Sequence, residues 1–300
     1  MQDIVVGVDD SVASERALDR ALLEAASSGR HLLVVHAWTS PVWMGGIPGF
    51  GYDILASSTE AERAARQLVD EVLAAGLRRR TSDVAVTVRT EIQEGEPGSV
   101  LVQAAKDAGL LVVGGRGQGA VKSALLGSAT AYVLHHAQCP VMIVPERGGL
   151  ARPFARVIVG VDGSAGSRSA LRWGLDAARR QGCVVIALHA WLITTLPGRP
   201  PMQFVPALSE YETEAREWLE QETAETLPQP SGVDVRTELS HSSPVWALLD
   251  KAGPDDLLVL GSRGRGGFVS LILGSVATQC SQYARAVVVV VRGDQERLDP

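Results

Sequence analysis

Four small residues in the second half of the chain have the types and spacing of a phosphate site. Gly261 follows the apolar run 257–260, Gly264 comes after two further residues, and Gly274 and Ser275 follow nine residues later. Glycine tolerates positive φ and has no Cβ, so backbone N–H groups can turn toward a ligand that lies against the chain. Ser275 is predicted to be the N-cap of the next helix, where free amides, the helix dipole and a hydroxyl favour an anion. The segment therefore predicts a phosphate-binding loop that ends at a helix start.

The same pattern occurs in the first half of the chain, in LLVVGGRGQGAVKSALLGSAT at residues 110–130. Gly114, Gly117, Gly127 and Ser128 repeat the spacing, and the two 21-residue windows share 11 identical residues when they are aligned without gaps. Unrelated segments of ordinary composition would share about one or two. The chain is therefore predicted to be an internal duplication with one site in each half.

The spacing Gly-x2-Gly-x9-Gly-Ser after the fourth strand of each half resembles the nucleotide-binding signature of the universal stress protein family. The resemblance covers nearly the whole chain. It implies that the loop residues hold the phosphates and ribose, that an aspartate after the first strand contacts the ribose or adenine, and that the backbone after the second strand meets the base. In the first half the implied residues are Gly7, Asp9, Ala37, Gly114, Arg116, Gly117, Gly119, Gly127, Ser128 and Ala129. In the second half they are Gly160, Asp162, Ala190, Gly261, Arg263, Gly264, Arg265, Gly266, Gly267, Gly274, Ser275 and Val276.

Each loop also carries an arginine, Arg116 in the first half and Arg263 in the second. A guanidinium pairs well with phosphate oxygens, so either side chain could add charge to the site, and the alternative is a solvated loop cation. The second loop has RGG at residues 265–267 where the first has QGA at 118–120. This difference predicts tighter binding in the second half.

Catalytic interpretations of the same region find less support. His36 and His189 each end the second strand of a half, but no serine or cysteine nucleophile has an evident histidine partner, which favours packed, hydrogen-bonded histidines. Asp9 and Asp10 resemble the acidic pair of a phosphorylation receiver, yet Gly163 takes the second position in the other half and no lysine ends either fifth strand. The sequence thus predicts a binding site that is at most a slow ATPase.

Composition narrows the class of protein further. The 300 residues are 46% apolar and 21% charged, with a net charge of −6 and no basic tract, which argues against nucleic-acid binding. No apolar run reaches the roughly 18 residues of a membrane helix, and the N-terminus lacks the features of a secretion signal, so a cytoplasmic protein is expected. The three cysteines form no C-x-x-C pair, which argues against a zinc site. The sequence has no G-x-x-x-x-G-K-[ST] phosphate loop.

Strand and helix patterns alternate in both halves, which predicts parallel βαβ units with helices on both faces of a sheet. In the first half the predicted strands include 4–8, 32–35, 84–91 and 141–144, with helices at 55–79, 97–105 and 128–136. In the second half the predicted elements include helices at 207–227 and 244–251 and strands at 233–239, 257–260 and 287–291. The fold expected is two doubly wound, five-stranded α/β domains. The resemblance implies a Rossmann-like fold of the adenine nucleotide alpha hydrolase type, with strand order 3-2-1-4-5.

The predicted domain boundaries follow the duplication and the Gly- and Pro-containing segment between its copies. The domains are 1–147 and 156–293, with a linker at 148–155, a polar tail at 294–300 and long loops at 40–52 and 195–206. Both fifth strands are sheet edges in the implied order, and the second is a run of five valines. The two domains are therefore expected to pair through these strands, and a homodimer of the full chain is left open.

Taken together, the residues and the resemblance favour a regulatory stress-response module that binds one adenine nucleotide per domain. The expected ligand is ATP, with or without Mg²⁺, and the expected partner is an unidentified regulatory protein. No membrane and no nucleic acid are expected as partners. Three alternatives remain: a slow ATPase, a receiver-like signalling domain, and a structural duplicate that has lost its ligand.

Overall fold

The computed structural model describes residues 2–39, 54–80, 84–115, 126–146, 153–191, 208–228, 230–265 and 273–293. The chain divides into two units, Met1–Pro153 and Phe154–Pro300. The predicted loops at 40–52 and 195–206, most of the predicted linker and the tail lie outside the described residues.

Within its described residues, the first unit consists of five strands that alternate with four helices. They are β1 Ile4–Gly7, α1 Val12–Ser28, β2 Leu32–Trp38, α2 Ile54–Arg79, β3 Val88–Glu94, α3 Pro97–Ala104, β4 Leu110–Gly114, α4 Ser128–His136 and β5 Val141–Val144. The strands pair in parallel in the order β3-β2-β1-β4-β5. The central strands β1 and β4 are covered on both faces, so their residues are almost all apolar and buried.

The second unit repeats this architecture over the part of it that the structure describes. Its elements are β6 Arg156–Gly160, α5 Ala165–Gln181, β7 Val184–Ala190, α6 Leu208–Thr226, β8 Val235–Ser240, α7 Pro244–Lys251, β9 Leu257–Gly261, α8 Ser275–Tyr283 and β10 Val287–Val291. The strands are again parallel, in the order β8-β7-β6-β9-β10. The predicted fold of two doubly wound five-stranded α/β domains, with its implied strand order, is confirmed.

The first helix of each unit is bounded by its own sequence signals. Ser11 is the N-cap of α1, and its side chain accepts a hydrogen bond from the backbone N–H of Ser14. Ser164 caps α5 in the same way. Gly29 and Gly182 end the two helices with φ of 65° and 69°, a left-handed conformation that glycine adopts without strain. The two serine caps fix the turns that follow β1 and β6, where the predicted aspartates lie.

The third strand of the first unit differs from the sequence prediction. It begins at Val88, and residues 84–87 are not part of it. Seven residues of β2, from Leu32 to Trp38, pair with seven of β3, so the neighbouring strand sets the length of β3. The alternation that begins at Val84 does not reflect burial, because that side chain is 53% exposed. None of the described helices is both long enough and apolar enough to cross a membrane.

Candidate functional site

The strand order creates a crevice at the carboxyl ends of two neighbouring strands in each unit. In the first unit, β1 pairs with β2 on one side and with β4 on the other, so the connections that leave β1 and β4 run in opposite directions along the sheet. The same reversal lies between β6 and β9 in the second unit. Open α/β sheets bind their ligands at such a reversal.

A cavity of about 490 Å³ lies at this point of the second unit. Its volume falls in the usual range for small-molecule sites, about 300–1,000 Å³. All ten residues that the sequence predicts for this half, and that the structure describes, line the cavity. They are Gly160, Asp162, Ala190, Gly261, Arg263, Gly264, Arg265, Gly274, Ser275 and Val276. The remaining two, Gly266 and Gly267, lie outside the described residues.

Sequence reasoning did not assign the other residues of the cavity wall. These are Val161, Ser167, Leu188, His189, Pro244, Leu248, Leu260 and Ala277. Most are apolar residues of buried strands or helix starts, and in the sequence they look like ordinary core positions. The one sequence feature that could have indicated them is that several lie at the carboxyl end of a strand or in the first turn of the following helix.

The cavity has an apolar interior and a charged rim. Leu188, Leu248 and Leu260 are 3–4% exposed and line its wall, whereas Arg263 and Arg265 are exposed. An apolar wall suits an aromatic ring, and two guanidinium groups suit an anion. The cavity can therefore hold a molecule that has a flat apolar end and an anionic end.

Asp162 connects the turn after β6 to the start of the glycine-rich loop. Its Oδ1 accepts a hydrogen bond from the N–H of Ser164 at 3.0 Å, and its Oδ2 accepts one from the N–H of Arg265 at 3.1 Å. The hydroxyl of Ser164 donates to the carbonyl oxygen of Arg263 at 3.2 Å. The turn after β6 thus holds the backbone of the glycine-rich loop at two residues, Arg263 and Arg265.

The first unit repeats the bond between the aspartate and its turn, but here the hydroxyl of the serine, Ser11, donates to Oδ1 of Asp9 at 2.5 Å. Asp9 accepts a hydrogen bond from the N–H of Ser11 at 3.0 Å through its Oδ1. The structure places the predicted residues of this unit at the ends of β1, β2 and β4 and at the start of α4: Gly7, Asp9, Ala37, Gly114, Gly127, Ser128 and Ala129. Arg116, Gly117 and Gly119 lie outside the described residues.

The structure corrects one sequence prediction at the helices that follow the two loops. Gly127 and Gly274 are the N-caps, and Ser128 and Ser275 are the first residues of α4 and α8, so the prediction of Ser275 as N-cap is wrong. The N–H of Gly274 donates to the carbonyl oxygen of Ser262 at 2.7 Å, which holds the glycine in the capping position. No side chain caps either helix in the described parts of the chain, and the hydroxyl-bearing serines are exposed.

The glycines that end β4 and β9 have a structural role. A Cβ on Gly114 would lie 2.8 Å from the carbonyl carbon of Ala13, and one on Gly261 would lie 2.5 Å from that of Gly166. Both positions therefore allow the first helix of the unit to pack directly on the strand. Neither glycine is among the described residues with positive φ.

Substitution of Gly261 by alanine is expected to destabilise the second unit. The added methyl would meet the backbone of α5, which cannot move without displacing the helix, and overpacking of this kind costs about 1–3 kcal/mol. Urea denaturation of the full chain measures the effect. Gly253→Ala is the control, because its Cβ would meet its nearest neighbour at 3.4 Å. Equal stability of the two variants would contradict this role for Gly261.

The two histidines near the carboxyl ends of β2 and β7, and the thiol of Cys280, are held by the surrounding fold. Nδ1 of His36 lies 2.8 Å from the carbonyl oxygen of Val8, and Nδ1 of His189 lies 2.7 Å from that of Val161, which confirms that both rings are hydrogen-bonded. Burial raises the pKa of the Cys280 thiol to about 12, so this thiol stays neutral and unreactive at physiological pH. Among the described residues, no group of His, Cys, Asp and Glu side chains could hold a metal ion.

Comparison with known proteins agrees with the duplicated architecture. The model of the Universal stress protein family matches the chain twice, at residues 1–145 and 153–292. A universal stress protein of Mycolicibacterium smegmatis is 33% identical over 291 residues, which are 96% of this chain and 96% of that protein. Another, from Mycobacterium tuberculosis, is 31% identical over 307 residues and covers 99% of this chain and 97% of its own.

A solved structure supports the same fold over the full length. The crystal structure of a universal stress protein from Archaeoglobus fulgidus covers 97% of this chain and 98% of that chain, with a TM-score of 0.63 and 20% sequence identity. With two family matches that together span nearly all of the sequence, this chain belongs to the universal stress protein family as a tandem member.

Proposed function

We propose that the chain is a regulatory nucleotide-binding protein in which each unit takes one adenine nucleotide, with ATP as the preferred ligand. The observation that carries this proposal is the cavity of the second unit, in which an apolar wall, a carboxylate, two arginines and a helix start converge. Each feature suits a different part of a nucleotide.

The adenine and ribose fit the end of the cavity formed by β6 and β7. Leu188, Leu248 and Leu260 supply apolar surface for the ring, and the backbone of Ala190 offers N–H and C=O groups of the kind that read a base edge. Asp162 is a hydrogen-bond acceptor at the same end, and a ribose hydroxyl is a suitable donor to it.

The phosphates fit the end of the cavity formed by β9 and α8. The first turn of α8 has no side-chain cap, so its amides and the positive end of the helix dipole are available to an anion. Ser275 adds an exposed hydroxyl, and Arg263 and Arg265 add positive charge. Mg²⁺ would neutralise phosphate charge when it accompanies ATP.

Regulation suits this site better than rapid hydrolysis. A fast ATPase needs a general base or a metal cluster near the γ-phosphate. On the described wall of the cavity, the carboxylate of Asp162 already accepts two backbone hydrogen bonds. Occupancy of the site would change the surface that a protein partner meets.

The test of the proposed function is to identify the small molecules that purified protein releases on denaturation, by mass spectrometry. An adenine nucleotide in an amount approaching one per unit is the expected result. Calorimetric titration of the emptied protein with ATP, ADP, AMP and cAMP then ranks the ligands. Absence of any retained nucleotide together with absence of binding would overturn the proposal and favour a duplicate that has lost its ligand.

Turnover is measured separately, because a slow ATPase is the main alternative. Phosphate release is followed in the wild-type chain and in the Gly264→Val variant, which lacks the second site if the proposal holds. Activity that is equal in the two preparations comes from a contaminant or from the first unit. Activity that falls in the variant belongs to the second unit and would assign it as an enzyme.

A further inference from the structure

Two consecutive residues of β7 hold both backbone groups of Val161, the last residue before Asp162. The N–H of Val161 donates to the carbonyl oxygen of Leu188 at 2.9 Å, and its own carbonyl oxygen lies 2.7 Å from Nδ1 of His189. A carbonyl oxygen can only accept a hydrogen bond, so Nδ1 of His189 carries the hydrogen. The imidazole therefore completes the pairing of the chain at the point where it leaves the sheet.

The position of the Asp162 carboxylate depends on this point. Asp162 follows Val161 directly, and its two oxygens accept the N–H groups of Ser164 and Arg265. A shift of the Val161 carbonyl would turn the next peptide plane and move the carboxylate away from one or both donors. The hydrogen bond from His189 therefore affects the position of the glycine-rich loop through Asp162.

Trp218 of α6 holds the other side of the same turn. Its ring centroid lies 4.7 Å from that of His189, and a Cβ on Gly163 would lie 2.9 Å from its Cζ2 atom. Gly163 has φ of 76°, which a residue with a side chain rarely adopts. The histidine ring is therefore fixed between a carbonyl oxygen and an indole, which limits its freedom to leave the turn.

The first unit repeats the two backbone contacts. The N–H of Val8 donates to the carbonyl oxygen of Val35 at 2.9 Å, and its carbonyl oxygen lies 2.8 Å from Nδ1 of His36, directly before Asp9. The two units have different residues at the position after the aspartate, Asp10 and Gly163, yet both keep the imidazole bond. The imidazole contact is therefore associated with the aspartate in both units and does not depend on the residue that follows it.

We infer that His189 is a positioning residue that holds the Asp162 carboxylate, and through it the entrance of the glycine-rich loop, in the arrangement that receives the nucleotide phosphates. The nucleotide part of this inference rests on the proposed function. His189 also lines the cavity, so a direct contact between its Nε2 and the ligand is the competing explanation. The two explanations assign the effect to different nitrogens of the ring.

The variants His189→Asn, His189→Gln and His189→Ala separate these explanations. The amide of asparagine can place an N–H near the position of Nδ1, whereas that of glutamine reaches the position of Nε2. In the ligand-free full chain, amide hydrogen exchange at Arg265 and Ser164 is expected to become at least about tenfold faster in the alanine and glutamine variants, because the hydrogen bonds to Asp162 open more often. The asparagine variant is expected to exchange like wild type, and His36→Ala serves as the control in the other unit.

Calorimetric titration with ATP supplies the second measurement. Affinity at the second site is expected to fall about 10- to 100-fold in the alanine and glutamine variants and to stay near wild type in the asparagine variant. Retained affinity in the glutamine variant with a loss in the asparagine variant would assign the effect to Nε2 and overturn the inference. Unchanged exchange at Arg265 in the alanine variant would also overturn it. Failure of wild type to bind ATP would refute the proposed function, and the exchange measurement would still decide whether His189 positions Asp162.

Discussion

Replacement of Gly264 by valine is expected to abolish nucleotide binding in the second unit and to leave the fold intact. A Cβ at this position would lie 2.5 Å from Oδ2 of Asp162, so the carboxylate would have to move and would lose its hydrogen bond from Arg265. Gly264 is exposed, and for this reason the substitution does not disturb the core. In calorimetric titration the number of ATP molecules bound per chain should fall from two to one, with residual affinity at least about 100-fold weaker at the second site.

The matched variant in the first unit is Gly117→Val, which is predicted from the repeated loop spacing and lies outside the described residues. It should remove the other site and leave the second one unchanged. Gly253→Ala controls for loss of a glycine elsewhere in the second unit, since the nearest atom to its Cβ would be 3.4 Å away. An unchanged number of sites in Gly264→Val, with wild-type affinity at both, would refute this role for Gly264.

Replacement of Ser275 by alanine is expected to weaken ATP binding at the second site without a change in stability. Its hydroxyl is exposed at the start of α8, and Gly274 rather than Ser275 is the N-cap, so no capping bond is lost. A charge-assisted hydrogen bond to a phosphate oxygen contributes about 1.5–3 kcal/mol, which corresponds to roughly 10- to 150-fold in affinity. Titration measures the affinity and thermal melting measures the stability.

Ser11→Ala is a control that is expected to lose stability and to keep its affinity for ATP at the second site. Ser11 caps α1 through the N–H of Ser14, and loss of an N-cap costs about 1 kcal/mol. This variant should melt at a lower temperature and keep its affinity at the second site. If Ser275→Ala instead lowers the melting temperature and keeps its affinity, the serine has no part in binding.

Elements with strong local signals could be predicted from the sequence with correct bounds. The apolar runs of β5 and β10 match the structure, as do the helices α4 and α7. A short run of aliphatic residues fits a strand that is buried on both faces and few other elements. Proline at the first position of a helix marks where the helix starts. β3 was predicted to begin four residues too early and to end three residues too early, because its side chains are partly exposed and its bounds depend on pairing with β2.

The candidate site could be predicted from the sequence less completely than the fold. Repetition of the loop revealed which residues would converge, but it could not distinguish a glycine that receives a helix, such as Gly261, from one that faces a carboxylate, such as Gly264. That distinction depends on contacts between residues that are far apart in the chain. The role of Ser275 was misjudged for a related reason, because glycine and serine are both good N-caps and the hydrogen bond to Ser262 decides between them.

The hydrogen bond between Asp162 and Arg265 joins residues that are 103 positions apart. During synthesis, the chain must therefore extend through β9 and the loop behind it before the carboxylate can meet its second donor. A nascent second unit that ends before this point has its aspartate and its histidine, but its cavity has no wall on the β9 side. If the second unit binds a nucleotide as proposed, binding is expected to be a late event in its folding, because contacts of large sequence separation carry the greatest loop-closure entropy. Nucleotide added during refolding should protect the completed unit and should have little effect on the rate at which the unit first forms.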